Sequence, residues 1–158
     1  MTERTTASEA SATVASPRVT VFFPSDQSEY APGDMLETSY RVAAIDPASI
    51  TAVERSVVWY TEGKGEEDFG VVFFDRLLAD RSNSVSDEPT ASTSADWPSG
   101  SFSMRLPSSP LSYEGLIVKI RWCVRVRLFF SSGRDFVSEH VFFLGDIPVA
   151  RPLRRAVS

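Results

Sequence analysis

Apolar and polar residues alternate along much of this chain, most regularly between Gly115 and Phe130. Leu116, Val118, Ile120, Trp122, Val124, Val126 and Leu128 fall on even positions, and Lys119, Arg121, Arg125 and Arg127 on odd ones. Successive strand residues point to opposite faces, so the spacing predicts a β-strand with one apolar and one basic face. At about 3.3 Å per residue, these sixteen residues would span roughly 50 Å, far beyond an ordinary strand. That length predicts a bend or bulge within the strand.

The same alternation marks six more strands. Arg18 to Phe23 carries Val19, Val21 and Phe23 on one face. Met35 to Ala43 sets Leu36, Thr38, Tyr40 and Val42 against Glu37, Ser39 and Arg41. Ile50 to Thr61 places Val53, Val57 and Trp59 opposite Val58 and Tyr60. Phe69 to Leu78 is apolar on both faces for much of its length, which predicts cover on both sides. Ser101 to Leu106 is short, with Phe102, Met104 and Leu106 toward the core, and Arg134 to Leu144 is the last strand.

Turn chemistry separates these runs. In Tyr30-Ala-Pro-Gly-Asp34 the proline presets its φ and the glycine can adopt the positive φ of a type II turn. Glu62-Gly-Lys-Gly-Glu-Glu-Asp68 and Ser131-Ser-Gly133 read as hairpin loops. Asp80 to Gly100 is dominated by Ser, Thr, Asp, Glu and Pro, a functional or mobile loop whose end Trp97 anchors before Pro98. No segment keeps a helical period. Seven strands separated by turns predict an all-β, immunoglobulin-like antiparallel sandwich. It occupies residues 17–148, after a disordered leader over 1–16 and before a basic tail over 149–158.

Composition narrows the class without naming a task. A chain of 158 residues, 42% hydrophobic with eleven phenylalanines, is long enough for one self-sufficient core. Its net charge of −5 argues against bulk attraction to nucleic acid or anionic membrane. The Thr-, Ser- and Ala-rich start lacks the order of a signal peptide, and no apolar run is long enough to span a bilayer as a helix. A single cysteine, Cys123, permits no internal disulfide and reads as a structural thiol, since no histidine or second cysteine stands near it in sequence. The expected location is cytoplasmic.

The segment leading into the long strand resembles a known family. Pro107, Pro110, Ser112, Tyr113, Glu114 and Gly115, followed by Ile120, Trp122, Val124 and Val126, resemble the arrestin-like sandwich, with its Pro-Ser-aromatic-x-Gly run before an Ile-x-aromatic-x-Val-x-Val strand. Tyr30, Pro32, Gly33 and Asp34 are similar to its turn into an early strand, and the strand order covers about Pro17 to Pro148. The resemblance implies a non-enzymatic binding or scaffold module. Arrestin-like proteins usually carry two such sandwiches in tandem, whereas this sequence holds one.

Catalytic chemistry is poorly represented. His140 is the single histidine, without a Cys/His pair or a His-x-Glu-Pro arrangement, and reads as a structural or surface residue. No Gly-x-Ser-x-Gly elbow occurs. The acidic loop Glu62, Glu66, Glu67, Asp68 lacks the alternating oxygens of a calcium loop, and Gly63-x-Gly65 lies in a hairpin, where no helix follows to complete a phosphate cradle. No cofactor is expected.

The basic face is the leading candidate: Lys119, Arg121, Arg125 and Arg127, joined by Arg134 beyond the turn. Arginine forks match carboxylate and phosphate. The competing expectation is that acids such as Glu37, Glu54 or Glu139 neutralise them across strands. The sequence therefore supports a protein-interaction or scaffold domain with an unidentified protein partner, no nucleic acid, and a capacity for homo-oligomers through sheet edges. The alternative is a sandwich that binds a small anionic or carbohydrate ligand, with Trp97 and Tyr113 beside the arginines.

Overall fold

The computed structural model describes residues 16–79, 96–146 and 151–152. Among them are nine strands: β1 (Arg18–Phe22), β2 (Glu29–Tyr30), β3 (Met35–Ala43), β4 (Ile50–Gly63), β5 (Phe69–Leu78), β6 (Gly100–Arg105), β7 (Tyr113–Glu114), β8 (Val118–Phe130) and β9 (Asp135–Leu144). All seven expected strands form; β2 and β7 add two residues each. All of the leader but its last residue lies outside the described residues, as do most of the Asp80–Gly100 loop and most of the tail.

The strands build a two-sheet β-sandwich. One sheet has three strands in the order β1-β3-β6; the other runs β2-β9-β8-β4-β5, with β7 also paired to β8. Pairing is antiparallel throughout except for the short parallel contact of β2 with β9. Local chemistry fixes the turns. In the Ala31–Asp34 turn Gly33 has φ +83°, and the Asp34 carboxylate accepts the Ala31 N–H at 2.9 Å. Ser112 clips the segment before β7 to the end of β9: its hydroxyl accepts the Leu144 N–H, and its own N–H donates to the Leu144 carbonyl, both at 2.8 Å. The Trp122 indole N–H donates to the Pro110 carbonyl at 2.8 Å. The Pro110–Gly115 lead-in thus anchors both the central strand and its neighbour.

Two expectations about strand shape are corrected. β8 begins at Val118, so the turn over Gly115–Ile117 leaves Leu116 exposed instead of at the head of the core face. Its pairing with β9 is unbroken from Trp122 to Phe129, and the irregularities fall on its neighbours. Thr51 of β4 is the extra residue against β8, and Val72 of β5 is the extra residue against β4. The second correction concerns β5. It is an edge strand of the larger sheet, and its outward residues are exposed, so cover on both sides does not exist among the described residues.

Inward-facing residues form two buried clusters. One joins Tyr30, Leu36, Val57, Leu106, Trp122, Val124, Phe142 and Leu144; the other joins Val19, Tyr40, Ile50, Val53, Val126 and Leu128. Arg55 lies between Val53 and Val57 on the inner face of β4 and is only 7% exposed. Its guanidinium pairs with Asp75 of β5, donates to the Ser101 carbonyl of β6 at 2.8 Å and sits over the Phe102 ring at 5.3 Å. Phe73 of β5 stacks on Phe102 with centroids 4.9 Å apart. These contacts tie β4 and β5 to the opposite sheet where β5 and β6 face each other.

Candidate protein-interaction face

The outer face of the larger sheet assembles row by row from the strand register. Cys123 lies between Val58 and Val141, and Val58 is followed by Val71, which makes one row apolar from β9 to β5. The row beside it contains Arg121, Tyr60 and Phe69, with Phe143 at the β9 end. On the other side of the apolar row lie Glu139, Arg125, Ser56 and Phe74. Val58 and Cys123 are buried by their neighbours, whereas Phe69, Val71, Phe74, Val141 and Phe143 are exposed.

Every cation on the odd face of β8 has an acidic neighbour. Lys119 lies 3.6 Å from Glu114; Arg121 is 2.6 Å from Glu62 and 3.3 Å from Glu114. Arg125 donates to Glu139 through two nitrogens, at 2.9 and 2.6 Å, and Arg127 meets Asp135 at 2.7 Å. On β5, Arg76 pairs with Glu54 at 3.0 Å. Of the acids anticipated as partners, Glu139 fills that role, Glu54 serves β5 instead, and Glu37 belongs to the other sheet. On the outer face of this sheet, among the described residues, five cations are thus answered by five acids. The hydrogen bond with Glu62 raises the Arg121 pKa, so this guanidinium stays charged. Arg125 also lies over the Phe69 ring at 5.3 Å, joining an ion pair to the apolar band.

The remaining candidates are dispersed. Arg134 is in the β8–β9 turn, where its carbonyl accepts the Phe130 N–H at 2.9 Å. Trp97 is half-buried and packs inward against the cluster containing Leu128. Tyr113 pairs with Ile120, eight residues back along β8, or roughly 26 Å by strand rise. Trp97 and Tyr113 therefore do not share a site. Cys123 is fully buried, and burial raises its thiol pKa to about 11. His140 shares a 2.7 Å hydrogen bond with Ser138, and burial lowers its pKa, keeping the ring neutral near pH 7. No cluster of three or more potential metal ligands occurs among the described residues, and no described helix is long and apolar enough to cross a membrane.

Sequence reasoning missed two groups of residues. Phe69, Val71, Phe74 and Leu78 had been assigned to a strand with cover on both faces. The available signal was Asp75-Arg76, which puts one charge on each face of the apolar run and is incompatible with double burial. Arg55 received no reading of its own, although its spacing from Val53 and Val57 places it inward.

No family model matches the sequence, and no curated protein matches it. Among solved structures the chain is similar to Spo0M, a sporulation control protein from Bacillus subtilis, with a TM-score of 0.52 and 12% identity. The match covers 83% of this chain and 50% of that one, so this chain matches about half the length of its structural neighbour. At that identity the likeness is one of fold.

Proposed function

We propose that this chain is a non-enzymatic protein-interaction or scaffold domain that docks its partner on the outer face of the larger sheet. One observation carries the reading: apolar side chains stand exposed at both edges of this face, Phe143 and Val141 on β9 and Phe69, Val71 and Phe74 on β5, with the mutually neutralised Arg121 and Arg125 pairs between them. Exposed apolar side chains set among neutralised charges suit a protein-docking patch. The sandwich resembles arrestin-like modules, and the similar Spo0M is described as a control protein, both compatible with a binding role.

The anion-binding alternative draws less support from the same geometry. A phosphate or carboxylate would have to displace Glu114, Glu62, Glu139 or Asp135 from the arginine and lysine heads of β8. A protein partner needs no such exchange, because it can cover the apolar side chains and leave the ion pairs intact.

Capture experiments from the native host test this reading. Val71→Lys and Val141→Lys each place a charge in the band, and Ser103→Lys places one on the outer face of the smaller sheet. The first two variants are expected to lose at least tenfold in partner capture, and Ser103→Lys to bind as the wild type does. Equal capture by all three would refute the assignment of this face.

A further inference from the structure

We infer that the partner on part of this face is a second copy of the chain, joined through the free edge of β5; this rests on the docking reading above. The four outer edges of the two sheets are not alike. β1 has five residues between Pro17 and Pro24, and β6 has six, between Pro98 and Pro107. Short, proline-flanked edges discourage pairing. β9, partly edged by β2, carries Asp135, Glu139 and His140. β5 runs for ten residues without proline, as Phe-Gly-Val-Val-Phe-Phe-Asp-Arg-Leu-Leu, and pairs only with β4 among the described residues.

The protective devices on β5 are weak. Its bulge at Val72 leaves Phe73–Leu78 in regular register with β4. Its two charges do not guard the edge, since Asp75 is bound to Arg55 and Arg76 to Glu54 within the same chain. A second strand therefore meets no unanswered like charge, although the chain as a whole carries −5. The outward side chains are strongly exposed: Phe69 52%, Val71 51%, Phe74 58% and Leu78 68%. Long apolar edges of this kind present a row of unpaired backbone groups to another chain.

The chain's own β5 is a fitting occupant, because antiparallel pairing about a two-fold axis brings identical apolar faces side by side. Two copies joined this way would cover on the order of 800 Å² in total, the range of weak, concentration-dependent interfaces. The expected assembly is a dimer in which the two larger sheets become one continuous sheet.

Sedimentation of the full chain tests the proposal. The wild-type mass should rise from 17.4 kDa toward twice that value with concentration. Phe74→Lys and Leu78→Lys, both at exposed positions, should keep native circular dichroism and remain monomeric, while Val137→Lys on β9 should dimerise as the wild type does. Amides within Phe73–Leu78 should exchange more slowly as concentration rises. A wild type that stays monomeric up to about 1 mM, or a dimer untouched by both β5 variants, overturns self-pairing. If the chain is monomeric yet Val71→Lys still abolishes capture from the host, self-pairing fails and the docking face stands. Loss of neither association nor capture in the variants removes both.

Discussion

Replacing Asp75 by Asn tests the link between the two sheets. Asn preserves the side-chain volume but removes the charge opposite Arg55, whose side chain is 9% exposed. Removing one partner of a fully buried pair costs about 3–5 kcal/mol. Here the Asp75 side chain is 39% exposed, and Arg55 keeps its bond to the Ser101 carbonyl and its position over Phe102. Solvent screening at the half-open end lowers the expected cost to about 2 kcal/mol, or roughly 4–8 °C in Tm for a chain of this size. Urea unfolding measures it directly. Replacing both partners, Arg55→Leu with Asp75→Leu, removes the stranded charge and should return stability to within about 1 kcal/mol of wild type. A neutral Asp75→Asn, or a double variant as weak as the single one, would contradict the role given to this pair.

Two further outcomes follow from buried side chains. The Cys123 thiol, held near pKa 11 by burial against an ordinary value of 9.0, favours the protonated folded state. Its contribution is complete below pH 9 and is lost as pH rises from about 9 to 11, a loss that Cys123→Ala should lessen in unfolding titrations. What remains is the alkaline loss contributed by Tyr30, Tyr40 and Tyr60, whose pKa values burial also raises. Trp122→Phe removes the donor to the Pro110 carbonyl and leaves a gap beside Phe142 in a fully buried site. Denaturant melts should register a loss of about 2–3 kcal/mol, and a change below about 0.5 kcal/mol would deny Trp122 its anchoring role.

The parts of the fold that were legible in the sequence are those in which local pattern and tertiary demand agree. β3 alternates buried Leu36, Thr38 and Tyr40 with exposed Glu37, Ser39 and Arg41, and its face could be read residue by residue. Gly33 had to take positive φ after Pro32, and it does. β5 was misread because an apolar run fits both a covered central strand and an exposed edge, and only strand order separates them. That order depends on β4 pairing with β8 across more than fifty residues of sequence, which no local pattern encodes. The odd face of β8 was visible as a row of cations. Its acidic partners come from β4, β7 and β9, and the register alone brings Glu62 and Glu114 together around Arg121. The apolar band became apparent only when Val71 of β5 and Val141 of β9 were aligned in one row through Val58 and Cys123.

Side-chain labelling with hydroxyl radicals, on the dilute purified chain and on the chain in extract of its native host, tests the docking face most directly. Exposed apolar residues on both sheets provide an internal comparison: Phe69, Val71, Phe74 and Val141 on the larger, Phe22 and Met35 on the smaller. Protection confined to the first four in extract is the predicted result. Equal labelling in both conditions, or protection of Phe22 and Met35 instead, would contradict the assignment of the partner to the outer face of the larger sheet.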